Sequence, residues 1–107
     1  MEEVIYIGVY DNTNDLRLDS NGSPISLSSV TRIDAQMGLL SVTSENATND
    51  PIRWNVAGFV AGEMRCKFGA LEGLSPGSWP CYFIVYDPTN PNGVVFGPVT
   101  FHVKALS

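Results

Sequence analysis

Trp79-Pro80-Cys81-Tyr82-Phe83-Ile84-Val85-Tyr86, with Asp87-Pro88-Thr89-Asn90-Pro91-Asn92-Gly93 behind it, decides the fold class. Successive side chains of a strand point to opposite faces. Trp79, Cys81, Phe83 and Val85 therefore form one face, and Tyr82, Ile84 and Tyr86 the other. Both faces are apolar, which predicts a central strand, or one whose second face a partner covers. Pro80 has no N–H to give to a ladder and is expected near the strand's start. The Pro- and Asn-rich segment after it reads as a hairpin loop, returning into a strand through Val99, Phe101 and Val103. Upstream, Leu71-Glu72-Gly73-Leu74 makes an apolar step and Ser75-Pro76-Gly77-Ser78 turns the chain into the strand.

The same alternation recurs outward from this stretch. In Glu63-Met64-Arg65-Cys66-Lys67-Phe68, Met64, Cys66 and Phe68 face one way and the charged residues the other. Val4-Ile5-Tyr6-Ile7-Gly8-Val9-Tyr10 is a first strand, rich in β-branched and aromatic residues. Leu16 and Leu18 alternate with Arg17 and Asp19 before the turn Ser20-Asn21-Gly22-Ser23-Pro24. Ile25 and Leu27 lead into residues 30–37, where Ile33, Ala35 and Met37 share a face. Gly38 turns, residues 39–43 give another strand, and residues 44–51 are the longest polar loop, ahead of Ile52 and Trp54. No segment sustains a 3.6-residue apolar period. Seven or eight short strands separated by turn clusters predict an all-β, antiparallel β-sandwich, a single domain over residues 1–107.

Charged residues make up 16% of the chain, below the usual share of about 25%. Net charge is −5, and the basic residues Arg17, Arg32, Arg53, Arg65, Lys67 and Lys104 are scattered. Phosphate binding requires clustered Lys and Arg, so nucleic acid is not an expected partner. Nothing approaches the roughly 18 apolar residues of a membrane span, and neither a membrane nor a signal peptide is expected: the start is acidic, and residues 4–10 are too short for an h-region. Cys66 and Cys81 admit a disulfide across the sandwich or two buried thiols. Thiols on neighbouring strands are the expectation, because a single connection separates them.

No catalytic residues, cofactor or metal site are expected. His102 alternates with Phe101 and Val103 and should face solvent with Thr100 and Lys104, a poor place for a catalytic base. Gly73-Leu74-Ser75-Pro76-Gly77 carries Pro where a nucleophile elbow needs a helix. Two cysteines and one histidine lack transition-metal spacing. Asp11-Asn12-Thr13-Asn14-Asp15, with Asp19 and Asn21, offers hard oxygens for calcium, but Leu16 and Gly22 stand where a calcium loop needs Gly and Glu, and turn chemistry is the expected role. Asn21-Gly22-Ser23 and Asn46-Ala47-Thr48 match the glycosylation sequon, a short motif frequent by chance.

Tyr6, Tyr10, Trp54, Tyr82 and Tyr86 exceed what two inner faces of a small sandwich must bury. They form either a flat aromatic surface for a neighbour or tyrosines tolerated at part-exposed strand positions. Of the functional options a protein neighbour fits better than a sugar, because clustered Asp, Asn or Arg beside the aromatics is not evident.

Leu71-x-x-Leu74-x-Pro76-Gly77-Ser78-Trp79 resembles the corner between strands E and F of fibronectin-type and other immunoglobulin-like sandwiches, with Trp79 where Tyr is common. Three features together are similar to the small immunoglobulin-like domains of tailed-bacteriophage virion proteins, including the N-terminal domain of baseplate upper proteins. They are Asn21-Gly22-Ser23-Pro24-Ile25-Ser26-Leu27 leading to Val30-Thr31-Arg32-Ile33, the Leu-Pro-Gly corner, and Val85-Tyr86-Asp87-Pro88 with Gly93-Val94-Val95-Phe96-Gly97. The resemblance implies an immunoglobulin-like antiparallel β-sandwich. It also implies a non-enzymatic structural module of a phage or prophage particle (head decoration, neck, tail or baseplate), assembled in the host cytoplasm. The expected partners are other virion proteins, with self-association also open, and β-augmentation is expected along the first strand. The alternative function is a carbohydrate- or cell-surface-binding module using Trp54, Tyr82 or Tyr86.

Overall fold

Alternating apolar residues build strands, and no helix, throughout the computed structural model, which describes residues 2–105. Met1, Leu106 and Ser107, part of the expected single unit, lie outside the described residues. The strands are β1 (Glu2–Tyr6), β2 (Asn14–Arg17), β3 (Asp19–Ser20), β4 (Ser23–Pro24), β5 (Arg32–Met37), β6 (Leu40–Ser44), β7 (Ile52–Trp54), β8 (Glu63–Cys66), β9 (Gly77–Tyr86) and β10 (Val94–Lys104). One sheet has the order β1-β10-β9-β5-β6 and a second the order β2-β8-β7, while β3 and β4 form a minimal hairpin. That hairpin takes the count past the expected seven or eight, with Asn21 and Gly22 supplying the positive φ of its turn.

The larger sheet is mixed rather than purely antiparallel: β1 runs parallel to β10, with Glu2 beside Thr100 and Tyr6 beside Lys104, while the other pairings are antiparallel. β1 is also shorter than residues 4–10. Gly8 turns at φ +81° and Tyr10 falls in the next turn. Ile5, Ile33, Ala35, Phe83 and Phe101 from the first sheet and Leu16, Ile52, Trp54, Met64 and Cys66 from the second fill one common core. Phe68 meets Phe101 there, ring centroids 5.7 Å apart. Two sheets sharing a core are compatible with a β-sandwich.

β9 is central, between β10 and β5, and Cys81, Phe83 and Val85 of its inward face are buried. Pro80 is its fourth residue. It pairs with Thr100 of β10, while pairing with β5 begins only at Cys81, so its missing N–H falls where β5 has already ended. The outer face of β9 is covered partly by its own hairpin. A Cβ on Gly93 would collide with Ile84 Cγ2 and approach Tyr86 Cε1 to 2.9 Å, so the hairpin packs directly on Ile84 and leaves it half-buried.

The two cysteines sit on different sheets, Cys66 on β8 and Cys81 on β9. This corrects the expectation of neighbouring strands: the connection over residues 67–76 crosses between the sheets instead of turning back within one. Both thiols are free and buried. Burial raises the Cys66 thiol well above its ordinary value and pushes Cys81 up to about 12, so both stay protonated and unreactive.

Candidate interaction surfaces

The expected aromatic surface is dispersed. Trp54 is 1% exposed and belongs to the core, a correction explained by β7: Ile52 and Trp54 both face inward and only Arg53 faces out. Tyr82 is 41% and Tyr6 40% exposed on the outer face of the larger sheet. They lie on different strands, with Tyr6 beside Lys104 at the end where β9 begins. Tyr86, at the opposite end, carries the Arg32 guanidinium 4.0 Å above its ring and donates its hydroxyl to Asp34 at 3.1 Å. Tyr10 is off the sheets, with Lys67 Nζ 4.2 Å above its ring. The tyrosines do not converge on one platform.

The strand edges discriminate more sharply. An edge strand leaves alternate N–H and C=O groups pointing outward, ready to pair with another chain. On β1 two of these groups are taken by asparagine side chains. Asn12 Oδ1 accepts from the Tyr6 N–H at 2.8 Å, and Asn14 Nδ2 donates to the Val4 carbonyl at 3.1 Å. Asn14, itself buried, also reaches Glu3. The Asn-rich segment with oxygens suited to calcium thus stands in for a neighbouring strand. Of its remaining carboxylates, Asp15 pairs with Arg65 and Asp19 with Arg17, and Asp11 lies 3.6 Å from Lys67.

β7 is closed in the same way. Asn46 Nδ2 donates to the Trp54 carbonyl at 2.9 Å and its Oδ1 accepts from the Trp54 N–H at 3.0 Å. The Asn46 amide, the acceptor of one sequon, is therefore occupied. Asn46 adopts φ +64°, a conformation Asn tolerates better than most residues. Arg53 Nε holds it at 3.0 Å. Asp50 orders the same loop by accepting from the N–H groups of Glu45 and Ala47. Those two bonds, with help from the Ser44 hydroxyl, hold its carboxyl below the ordinary 3.8.

β6 is different. Gly38, at φ +61°, and Leu39 form the two-residue turn between β5 and β6, the Gly-first hairpin type. Met37 and Leu40 close that turn, so Leu40, Val42 and Ser44 bond to β5 while Ser41 and Thr43 point their N–H and C=O outward. Among the described residues, no hydrogen bond from a side chain reaches the main chain of Ser41 or Thr43. β6 also carries no charged residue, whereas β1 has Glu2 and Glu3, β2 has Asp15 and Arg17, and β7 has Arg53. Sequence reasoning missed this edge; the signal for it was the neutral Leu40-Ser41-Val42-Thr43-Ser44 run after Gly38.

Beside the same turn, Met37, Leu39, Leu40, Leu74 and Trp79 line an open apolar depression of about 460 Å³. Leu39 is fully exposed at its rim. Trp79 closes it, packed over Gly38 and donating its Nε1–H to the Ser75 carbonyl at 2.9 Å.

His102 lies on the outer face, half-buried, as its alternation requires. Its Nδ1 is 2.8 Å from Ser78 Oγ and its Nε2 3.1 Å from Glu2 Oε1, a row across β9, β10 and β1. The row can fix the imidazole's tautomer. It lies outside the apolar depression beside Gly38. Comparison with protein-family models, curated proteins and solved structures found no match.

Proposed function

We propose that the chain is a non-enzymatic, immunoglobulin-like structural module that works through protein–protein contacts as a component of a phage or prophage particle. Strand order supports the immunoglobulin-like part of this reading. β1-β10-β9-β5-β6 and β2-β8-β7 correspond to the orders A′-G-F-C-C′ and B-E-D of an immunoglobulin-like Greek key, with β3–β4 an insertion between B and C. The corner before β9 supports it. Trp79 stands two residues ahead of buried Cys81 and bonds back to the backbone at Ser75, the geometry a corner tyrosine provides in such domains. The chain departs from antibody domains at the cysteines, since Cys66 is on the strand equivalent to E, and β2 presents Asn14 and Leu16 to the interior.

The particle setting rests on the motif resemblance of residues 21–33, 71–79 and 85–97. The assembly role rests on an edge left uncharged and unpaired in a chain that closes β1 and β7. The sugar-binding alternative loses one of its three aromatics to the core. The test is to purify particles from an induced strain encoding the chain on a density gradient and quantify their proteins by mass spectrometry. The chain is expected in fixed ratio to the other particle proteins. Its absence from the particle band would overturn the reading.

A further inference from the structure

We propose that β6 pairs with β6 of a second copy of this chain, antiparallel about a two-fold axis at Val42, joining the two larger sheets into one. The proposal deepens the assembly reading above by naming the partner of the open edge.

The argument starts with hydrogen bonds. Ser41 and Thr43 are the β6 residues whose main-chain groups face away from β5. At the next outward position, Glu45, the N–H is already taken by Asp50 at 2.8 Å, so the available segment is short and its limits are defined. With Val42 on the axis, Ser41 of one copy lies opposite Thr43 of the other, and the two exchange both main-chain bonds on each side of the axis. Their hydroxyls face each other on the outer surface, a favourable cross-strand pair. Val42 meets Val42 as a non-hydrogen-bonded pair, the closer of the two pair types.

Charge leaves β6 as the edge at which two copies can approach. The chain carries net −5, so two copies repel over most of their surfaces. β6 is neutral along its length, and the carboxylates at its far end, Glu45 and the Asp50 that holds its N–H, fall towards Leu39 of the second copy, so the two copies' carboxylates lie at opposite ends of the pairing. The other edges are charged, and asparagine amides fill the Tyr6 N–H and Val4 carbonyl of β1 and both main-chain groups of Trp54 on β7. Contact confined to a five-residue strand is smaller than the roughly 1,000 Å² of a stable complex. The dimer is accordingly weak in free solution, half-formed on the order of 100 µM, and becomes populated where copies are concentrated, as on a particle.

Sedimentation equilibrium of the full chain between about 10 µM and 1 mM tests this, with amide exchange followed by NMR over the same range. The expected result is a monomer–dimer equilibrium, with exchange at Ser41 and Thr43 slowing at least several-fold as concentration rises. Thr43→Pro removes one outward N–H and should abolish the dimer. Should that variant fail to fold, Ser41→Lys with Thr43→Lys places like charges opposite each other and tests the same pairing with the backbone intact. A single monomer mass across the range, or a dimer indifferent to these variants, overturns the proposal. A monomer that is still incorporated into particles overturns this proposal alone and leaves the assembly reading standing.

Discussion

The larger sheet ends in two edges that solve one problem in opposite ways. At β1, a strand that carries two carboxylates, two asparagine amides meet the outward-facing backbone. At β6, five uncharged residues present it bare. Both strands have five residues and comparable β-propensity, so strand strength does not separate them. The difference lies in what the adjacent loops supply. Residues 11–15 fold back to cap β1, whereas the loop after β6 turns its asparagine and aspartate onto β7 and onto its own N–H groups. Whether an edge stays open is decided by the loop next to it in the chain, and composition of the strand alone does not reveal it.

Removing the caps should break the contrast most visibly. Asn12→Ala combined with Asn14→Ala strips β1 of its side-chain partners and should cost about 2–4 kcal/mol in urea unfolding, most of it from buried Asn14. A loss under about 0.5 kcal/mol would mean that water serves β1 as well as the amides do. Asn46→Ala should cost about 1–3 kcal/mol by the same logic at β7, with the Trp54 fluorescence maximum shifting to the red as the strand loosens. An unchanged emission and unfolding midpoint would show that Asn46 does not hold β7.

Asp50 gives a pH-dependent version of the same comparison. Its carboxyl is held below 3.8 by the Glu45 and Ala47 N–H groups and by Ser44. That contribution is complete above the unfolded value and is lost as pH falls through the lower folded value. Asp50→Asn should therefore be less stable than wild type at pH 7, with the gap closing below about pH 3.8. A gap that persists at pH 2 would assign the effect to shape instead of charge. The smallest effect on stability belongs to Thr43→Pro. On an edge, with its N–H facing solvent, proline should shift the unfolding free energy of the monomer by about 0.5 kcal/mol or less in dilute solution. A loss of several kcal/mol would show that the Thr43 N–H points into the ladder, contrary to the pairing set by the turn at Gly38.

Much of the fold is legible in local pattern. The Met64/Cys66 alternation, the two faces of residues 79–86, the turn at Gly38 and the hairpin over residues 87–93 all depend on neighbours within a few positions. Trp54 misleads because β7 is only three residues long, and its single alternation, Ile52 and Trp54 inward with Arg53 out, is too short to distinguish from an exposed aromatic in a polar setting. The parallel β1–β10 pairing joins residues nearly a hundred positions apart and leaves no periodic trace. Asn12 and Asn14 show their turn chemistry in the sequence. That their amides reach the backbone of β1 is a consequence of packing, and oxygens that look available to a cation are already committed.

The parallel pairing of β1 with β10 also determines how the domain carries load. Tension entering through Glu2 and leaving through Lys104 pulls the two strands along their length in opposite directions. The ladder is then sheared, and every rung from Glu2–Thr100 to Tyr6–Lys104 must give way together. An antiparallel pairing loaded from one end would instead unzip rung by rung. Along that line the domain yields all at once or not at all.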